Sequence, residues 1–158
     1  MDSVHMDDMC MDLVSPNWRT RLACAQRTDW TPTPEQVERG LDDTWTVRVA
    51  WVERTDWTPT PEQVERGLND INADIKIAWI KRYDFTPTQE QIERGLDDPR
   101  AIIRATWVRR TDFTPTHEQI EGGLKDAYKV VRDAWMERLK MDQEKLMMNE
   151  NELLEASL

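Results

Sequence analysis

A phrase of about 28 residues recurs along the chain, and this period constrains the fold more than any other feature of the sequence. The copies begin at Arg27, Arg54, Arg82 and Arg110, with a last partial copy at Arg138. Each copy runs on into a second phrase that ends in a tryptophan, namely Trp51, Trp79, Trp107 or Trp135. Units of this length cannot bury a hydrophobic face alone, so they are typical of repeats that stack on one another into a continuous core.

The first phrase contains a full set of helix-start signals. Thr33 stands at the N-cap position and Gln36 follows three residues later, which predicts a capping box. Pro34 occupies the first helical position and Glu35 the first turn, where the helix dipole favours an acid. The other copies place their capping pairs at Thr60 and Gln63, Thr88 and Gln91, and Thr116 and Gln119. A helix of about eight residues is too short to be stable alone, so packing must stabilise it.

A glycine recurs near the end of each first helix, at Gly40, Gly67, Gly95 and Gly123. Two structural interpretations are open, the close approach of a neighbouring helix or a left-handed helix end. A third interpretation, close approach to a ligand, has no GxGxxG or P-loop pattern to support it.

The second phrase predicts a second helix. An aspartate is its predicted N-cap, namely Asp43, Asp70, Asp98 or Asp126. In one copy a single apolar face is expected from Ile71, Ile75, Ala78 and Trp79. The four tryptophans are expected in the core rather than as binding anchors, and so is a second aromatic row at Trp30, Trp57, Phe85 and Phe113.

Equivalent side chains of stacked repeats form rows. We predict a structural ladder that links neighbouring units: Asp43, Arg48, Asp70, Lys76, Asp98, Arg104, Asp126 and Arg132. A second brace is predicted where a repeat-start arginine stands two residues before an aspartate, as Arg27 does before Asp29. The exposed positions of the first helices are the predicted partner-binding residues: Glu35, Arg39, Glu62, Arg66, Glu90, Arg94 and Glu118. The arginine row within this set ends in Gly122.

The two ends of the chain depart from the repeat. We predict a disordered segment over 1–7 and a repeat domain over 8–138. The domain divides into a degenerate cap and four repeats, at 8–26, 27–53, 54–81, 82–109 and 110–137. Residues 139–158 are predicted as a further helix, which either caps the last repeat or binds a partner or a second copy.

Charge and composition exclude several classes of function. The net charge is -10, but residues 1–17 hold four acidic residues and no basic one, whereas 18–138 holds 22 acidic and 19 basic residues. Such a balanced repeat body lacks the basic surface of a nucleic-acid-binding protein. No apolar run is long enough for a membrane span, and the acidic N-terminus is unlike a secretory signal. A cytoplasmic location is therefore expected.

Residues suited to catalysis or metal binding are sparse. His5 and His117 are the only histidines, and they have no recognised metal-ligand spacing with Cys10 and Cys24. Reduced cysteines are expected in a cytoplasmic protein, with a disulfide between the two as the alternative. Because no nucleophile is paired with a base, we predict no catalytic residue, no metal, no cofactor and no enzymatic activity.

The end of one copy and the start of the next resemble the HEAT-like and variant leucine-rich repeats. The residues that carry the resemblance are Asp98, Ile103, Arg104 and Trp107, then Thr114, Pro115, Glu118, Gln119 and Ile120. The resemblance spans about residues 8–138 and implies an all-α fold, a right-handed α-solenoid of stacked two-helix repeats. About four full repeats would lie between a degenerate N-terminal cap and a C-terminal helix. Members of these families mostly act as protein-binding scaffolds.

These observations together predict a protein–protein interaction module without catalytic activity, either a monomer or a homodimer through the C-terminal helix. The alternative is a small acidic inhibitor, phage- or mobile-element-encoded, that blocks a nucleic-acid-binding protein. Little-diverged repeats and small size favour the inhibitor, whereas the balanced charge of the repeat body opposes it. In both cases the expected partner is another protein, with no direct contact to nucleic acid or membrane.

Overall fold

The computed structural model describes residues 12–158, and all regular structure in this range is helical. The predicted all-α class is confirmed. The helices are α1 (Trp18–Gln26), α2 (Pro34–Leu41), α3 (Trp45–Glu53), α4 (Pro61–Leu68), α5 (Ala73–Ile80), α6 (Gln89–Leu96), α7 (Ala101–Val108), α8 (His117–Leu124) and α9 (Lys129–Ala156). None of the helices in this range is long and apolar enough to cross a membrane. The predicted disorder over 1–7, the start of the cap, His5 and Cys10 lie outside the described residues.

The first helix of each repeat begins where the capping signals predict. In α2 the Thr33 hydroxyl accepts the N–H of Gln36 at 3.3 Å, and the Gln36 side chain accepts the N–H of Thr33 at 2.8 Å. This capping box recurs at α4, α6 and α8. Pro34 and Pro61 occupy the first helical position of their helices. Short-range side-chain chemistry therefore defines these four starts.

The second helices do not begin at the predicted aspartates, so that prediction is wrong. Their N-caps are Thr44, Asn72, Arg100 and Tyr128, one or two residues later. The aspartate carboxylates instead accept backbone N–H groups in the turn before the helix, as Asp126 does from Tyr128 at 3.0 Å. Asp43 and Asp126 also accept a hydrogen bond from an arginine 22 residues earlier in the chain. This second hydrogen bond holds the carboxylate outside the helix.

Helices pack in the same way within each of two compact units, Met1–Phe85 and Thr86–Leu158. In the first unit α3 packs against both α1 and α5, while α2 lies on α3 and α4 lies on α5. In the second unit α7 packs against α9, while α6 lies on α7 and α8 lies on α9. Second helices therefore form one layer in each unit, and each first helix covers the second helix of its own repeat.

The recurring tryptophans fill the core, and the recurring glycines make room for them. Trp51, Trp79, Trp107 and Trp135 are all buried. A Cβ atom added to Gly40, Gly67, Gly95 or Gly123 would overlap the indole ring of its own repeat. None of these glycines has the positive φ of a left-handed helix end. The glycines therefore allow the second helix of the same repeat to approach closely, as the first of the two interpretations holds.

The predicted apolar face of the second helix is correct except at its first member. Ile75, Ala78 and Trp79 are buried, but Ile71 is 92% exposed and precedes the start of α5 at Ala73. The expectation for Ile71 is wrong because the turn at Asp70 and Asn72 delays the start of the helix by two residues.

The C-terminal tail is not a separate helix. It continues α9, which runs for 28 residues through the predicted boundary at 138/139. In earlier copies a Thr-Pro pair follows the second helix, whereas the tail has neither proline nor glycine and is rich in Leu, Met and Glu. Residues of this kind favour helix propagation, so nothing local ends the helix there.

Two adjacent glycines of α8 give a direct test of the glycine–tryptophan contact. We expect Gly123→Ala to destabilise the fold by about 2 kcal/mol or more, because the new methyl group would overlap Trp135. Gly122→Ala, whose methyl group would meet no atom within 4 Å, should stabilise the fold by up to about 1 kcal/mol through helix propensity. Urea unfolding of the two variants measures both effects. Equal effects of the two substitutions would contradict the close-contact interpretation.

Candidate functional site

All seven predicted partner-binding residues are exposed, and all lie on the first helices. Arg66 has a defined contact: among the described residues its guanidinium pairs with Glu38 of the preceding repeat at 3.2 Å, not with Glu62 one turn earlier. Both side chains of this pair remain about half exposed. The structure therefore presents these charges to solvent, and it uses Arg66 to connect neighbouring first helices.

Glu38 is the centre of that connection. Its carboxylate accepts the side-chain amide of Gln63 at 2.6 Å and the guanidinium of Arg66 at 3.2 and 3.3 Å. The Gln63 hydrogen bond is the main reason that the pKa of the Glu38 carboxyl lies below its usual value. One glutamine thus serves two purposes, because it also closes the capping box of α4.

Two ion pairs of the predicted structural ladder join neighbouring repeats within the compact units. Arg48 donates to Asp70 at 2.9 Å, and Arg104 donates to both carboxylate oxygens of Asp126 at 2.8 Å. The structure adds a pair that the sequence prediction omitted, Arg21 with Asp43, at 2.7 and 2.9 Å. The signal for it was present, because Arg21 stands in the degenerate cap at the same 22-residue spacing.

Arg132 and Asp98 also make contacts within their own repeat. Arg132 donates to the carbonyl oxygen of Asp126 at 2.6 Å, and Asp98 pairs with Arg100 at 3.2 Å. Arg48 differs from Arg104 in that its Nε is buried without a hydrogen-bond partner. The loop before Arg48 is one residue shorter than the loops of later repeats, and Arg48 contacts Asp70 through Nη1 alone.

The most extensive polar contacts belong to the repeat-start arginines. Arg54 is buried and its Nη1 donates to the carbonyl oxygens of Ala25 and Arg27, at 2.7 and 2.6 Å. Its Nη2 donates to the carbonyl oxygen of Trp30 at 3.0 Å. Nε and Nη2 also bind the two oxygens of Asp56, at 3.0 and 2.6 Å. One guanidinium therefore joins three backbone carbonyls that lie before its own repeat to a carboxylate within its own repeat.

Arg82 and Arg138 make the same connection. Arg82 donates to the carbonyl oxygens of Val52, Arg54 and Trp57. Arg138 donates to those of Val108, Arg110 and Phe113. We call these contacts of Arg54, Arg82 and Arg138 the arginine clasps.

Aromatic rings enclose the clasps. The Arg54 guanidinium lies 4.5 Å from the ring centroid of Trp30, and the Arg82 guanidinium lies 4.2 Å from that of Trp57. Trp30 in turn meets Trp51 edge to face, with ring centroids 5.9 Å apart. The second aromatic row is thus half-buried around a cation, which strengthens the attraction between the ring face and the guanidinium.

The sequence predicted the contact of each repeat-start arginine with the aspartate two residues later, but it did not predict the contacts with distant backbone carbonyls. The pair of Arg54 with Asp56 follows from their spacing, whereas the carbonyl oxygens of the preceding repeat carry no sequence signal. Arg138 did offer a clue, because it is kept where the aspartate two residues later is replaced by Lys140. It pairs instead with Asp142 at 3.3 Å.

The remaining reactive groups form no recognisable centre. His117 is exposed and lies 3.5 Å from Glu121. Cys24 is buried, and burial raises the pKa of its thiol above the usual value. Across residues 12–158 no cluster of three or more histidine, cysteine, aspartate or glutamate residues is suited to a metal ion.

Equivalent arginines at two positions test the clasp. We expect Arg82→Lys to destabilise the fold by about 3 kcal/mol, because lysine keeps the charge but cannot satisfy three carbonyls and a carboxylate at once. Arg27→Lys is the matched control, since Arg27 is exposed and contacts Asp29 of its own repeat. Its thermal midpoint should stay at the wild-type value. Similar losses in the two variants would contradict the clasp.

Lowering the pH should remove the contribution of the Arg104–Asp126 pair to the free energy of unfolding. The hydrogen bond from Arg104 outweighs burial and holds the pKa of Asp126 below its usual value in the folded chain. Its stabilisation is therefore complete above the unfolded pKa of about 4 and is lost as the pH falls through the folded pKa. Asp126→Asn should cost about 2 kcal/mol at pH 7 and progressively less in acid.

Urea unfolding of wild type and Asp126→Asn between pH 7 and pH 2 measures this difference. As a control, Arg104→Gln should raise the pKa of Asp126, observed through the carboxyl carbon resonance. A stability difference that stays constant across the pH range would contradict the assignment.

Comparison with known proteins gives no relative from which a function can be transferred. No protein-family model matches the chain, and neither a curated protein nor a solved structure is significantly similar to it. The resemblance to HEAT-like and variant leucine-rich repeats stays a prediction from the residues that carry it.

Proposed function

We propose that the chain is a protein–protein interaction module without catalytic activity, built as a right-handed α-solenoid related to the HEAT-like and variant leucine-rich repeats. Two observations support the solenoid. The 28-residue period continues unbroken from Arg54 to Arg138. Within each compact unit, second helices pack on second helices and each first helix covers its own partner. Repeats joined in this way present long surfaces of equivalent side chains, which suit recognition of another protein.

The C-terminal half of α9 is the observation that carries the function. The buried residues of α9 end at Arg138, although the helix continues to Ala156. Beyond that point Met141, Leu146, Met147, Met148, Leu153 and Leu154 are each more than half exposed. A helix that exposes this many large apolar side chains is characteristic of a surface that another protein covers.

The partner is expected to contact an amphipathic surface. Leu146 and Leu153 are seven residues apart and therefore lie on nearly the same side of α9. Lysine, glutamate and asparagine residues surround them, and residues 139–158 hold five acidic and two basic side chains. Apolar anchors with a charged border are the usual composition of a protein interface. A second copy of the chain and a different protein are the two candidate partners.

Three matched baits test the proposal in extracts of the native source. The wild-type chain should enrich a protein partner, and Leu146→Glu/Leu153→Glu should abolish the enrichment by placing charges in an apolar contact. The second variant, Arg39→Glu/Arg66→Glu/Arg94→Glu, tests the charged rows and should retain the partner if α9 is the main contact. Both variants change exposed residues, and circular dichroism should confirm that they stay helical.

Sedimentation equilibrium separates the two candidate partners. A second copy is the partner if wild type dimerises and the leucine variant does not. If wild type is monomeric and all three baits recover the same proteins equally, the proposed function is wrong.

A further inference from the structure

A groove of about 1010 Å³ separates α6 from α8 in the second compact unit. Its lining includes Glu93, Asp97, Glu118, Gly122 and Trp135. The equivalent space between α2 and α4 in the first unit measures about 80 Å³, although equivalent residues line much of it. At one lining position the first groove has a long side chain and the second has none.

That position holds Arg66 in the first groove and Gly122 in the second. Arg66 lines the small groove, and its guanidinium pairs with Glu38 on the facing helix at 3.2 Å. The residue equivalent to Glu38 is Glu93, which lines the large groove. Gly122 supplies no side chain, and even an added Cβ atom would meet nothing within 4 Å. The large groove thus keeps the acid of the pair and lacks its cation.

The charges around the large groove favour a cation. Glu93, Asp97 and Glu118 are exposed carboxylates at its edge. Asp98 and Asp126 lie deeper and pair with Arg100 and Arg104 respectively. The other basic group that faces the groove is His117, which lies beside Glu121 at the rim. Acidic groups therefore outnumber basic ones, and the basic groups on the wall are already paired with acids of the protein.

We propose that this groove binds an arginine side chain of a partner protein, whose guanidinium pairs with Glu93 as Arg66 pairs with Glu38 in the first groove. The chain itself shows that a guanidinium fits between neighbouring first helices. The planar fork of arginine matches a carboxylate in two-point contact, and its aliphatic stem suits a wall that includes Leu96 and Trp135. The proposal rests on the proposed function, because it gives the chemistry of one residue of the partner.

Titration with N-acetyl-arginine methylamide, followed by ¹H–¹⁵N NMR, tests the groove without a partner. Saturable shifts are expected at the amides of Gly122 and Gly123 and at the indole N–H of Trp135, with a Kd on the order of millimolar for a single side chain. The citrulline analogue has nearly the same shape as the arginine ligand but no charge, and it should bind the wild-type protein at least tenfold more weakly. The arginine ligand should likewise bind the Glu93→Gln variant at least tenfold more weakly than it binds wild type.

Two substitutions at one position provide the matched controls. Gly122→Arg should fill the groove with the chain's own guanidinium and abolish the shifts, whereas Gly122→Ala should keep them because its methyl group leaves the groove open. Absence of saturable shifts in wild type would overturn the proposal, and so would equal binding of the citrulline analogue or unchanged binding to Gly122→Arg.

The same substitution separates this proposal from the proposed function. With Gly122→Arg as bait, loss of the partner recovered by wild type and by Gly122→Ala supports the groove as an arginine site. Full recovery with Gly122→Arg overturns the groove proposal while the interaction module stands. If no bait recovers a partner and the wild type is monomeric, the proposed function itself fails, whatever the result of the arginine titration.

Discussion

Burial of a guanidinium between successive repeats is the interaction on which the rest of the structure depends. The helices from α1 to α8 are eight or nine residues long, which is too short for a helix to be stable alone. The clasp of Arg54 satisfies three carbonyl oxygens that precede its own repeat, and Asp56 balances its charge. A buried cation without such partners would cost several kcal/mol, so the contact is stable only when the neighbouring repeat is correctly placed. Clasps therefore specify the stacking as well as stabilise it.

The near-identity of the repeats follows from contacts that depend on one another. The indole of Trp79 occupies the space that a side chain at Gly67 would need, so the large residue and the missing side chain form one unit. Gln63 closes the capping box of α4 and also binds Glu38 of the preceding repeat. A change at any one of these positions disturbs a partner in the same or the next repeat. Geometry alone thus accounts for most of the repeated phrase.

The parts of the fold that sequence could predict are those that depend on near neighbours along the chain. Thr33 and Gln36 interact across three residues, and their capping box was predicted correctly. The start of α9 was not, because Asp126 is held by Arg104, 22 residues away, and so remains outside the helix. The groove shows the same limit: the sequence shows that a row of arginines ends in Gly122, but only the packing of α6 and α8 shows the space that results.

The clasps also give the chain a direction. In each of them the donor belongs to the later residue and the acceptors are carbonyl oxygens about 24 to 30 residues earlier. A repeat emerging during translation therefore finds its acceptors already synthesised, and growth can proceed one repeat at a time without an unsatisfied buried cation. Removal of repeats from the two ends is then not equivalent. Loss of the last repeat exposes carbonyl groups that water can solvate, whereas loss of the first leaves a guanidinium without the oxygens that hold it.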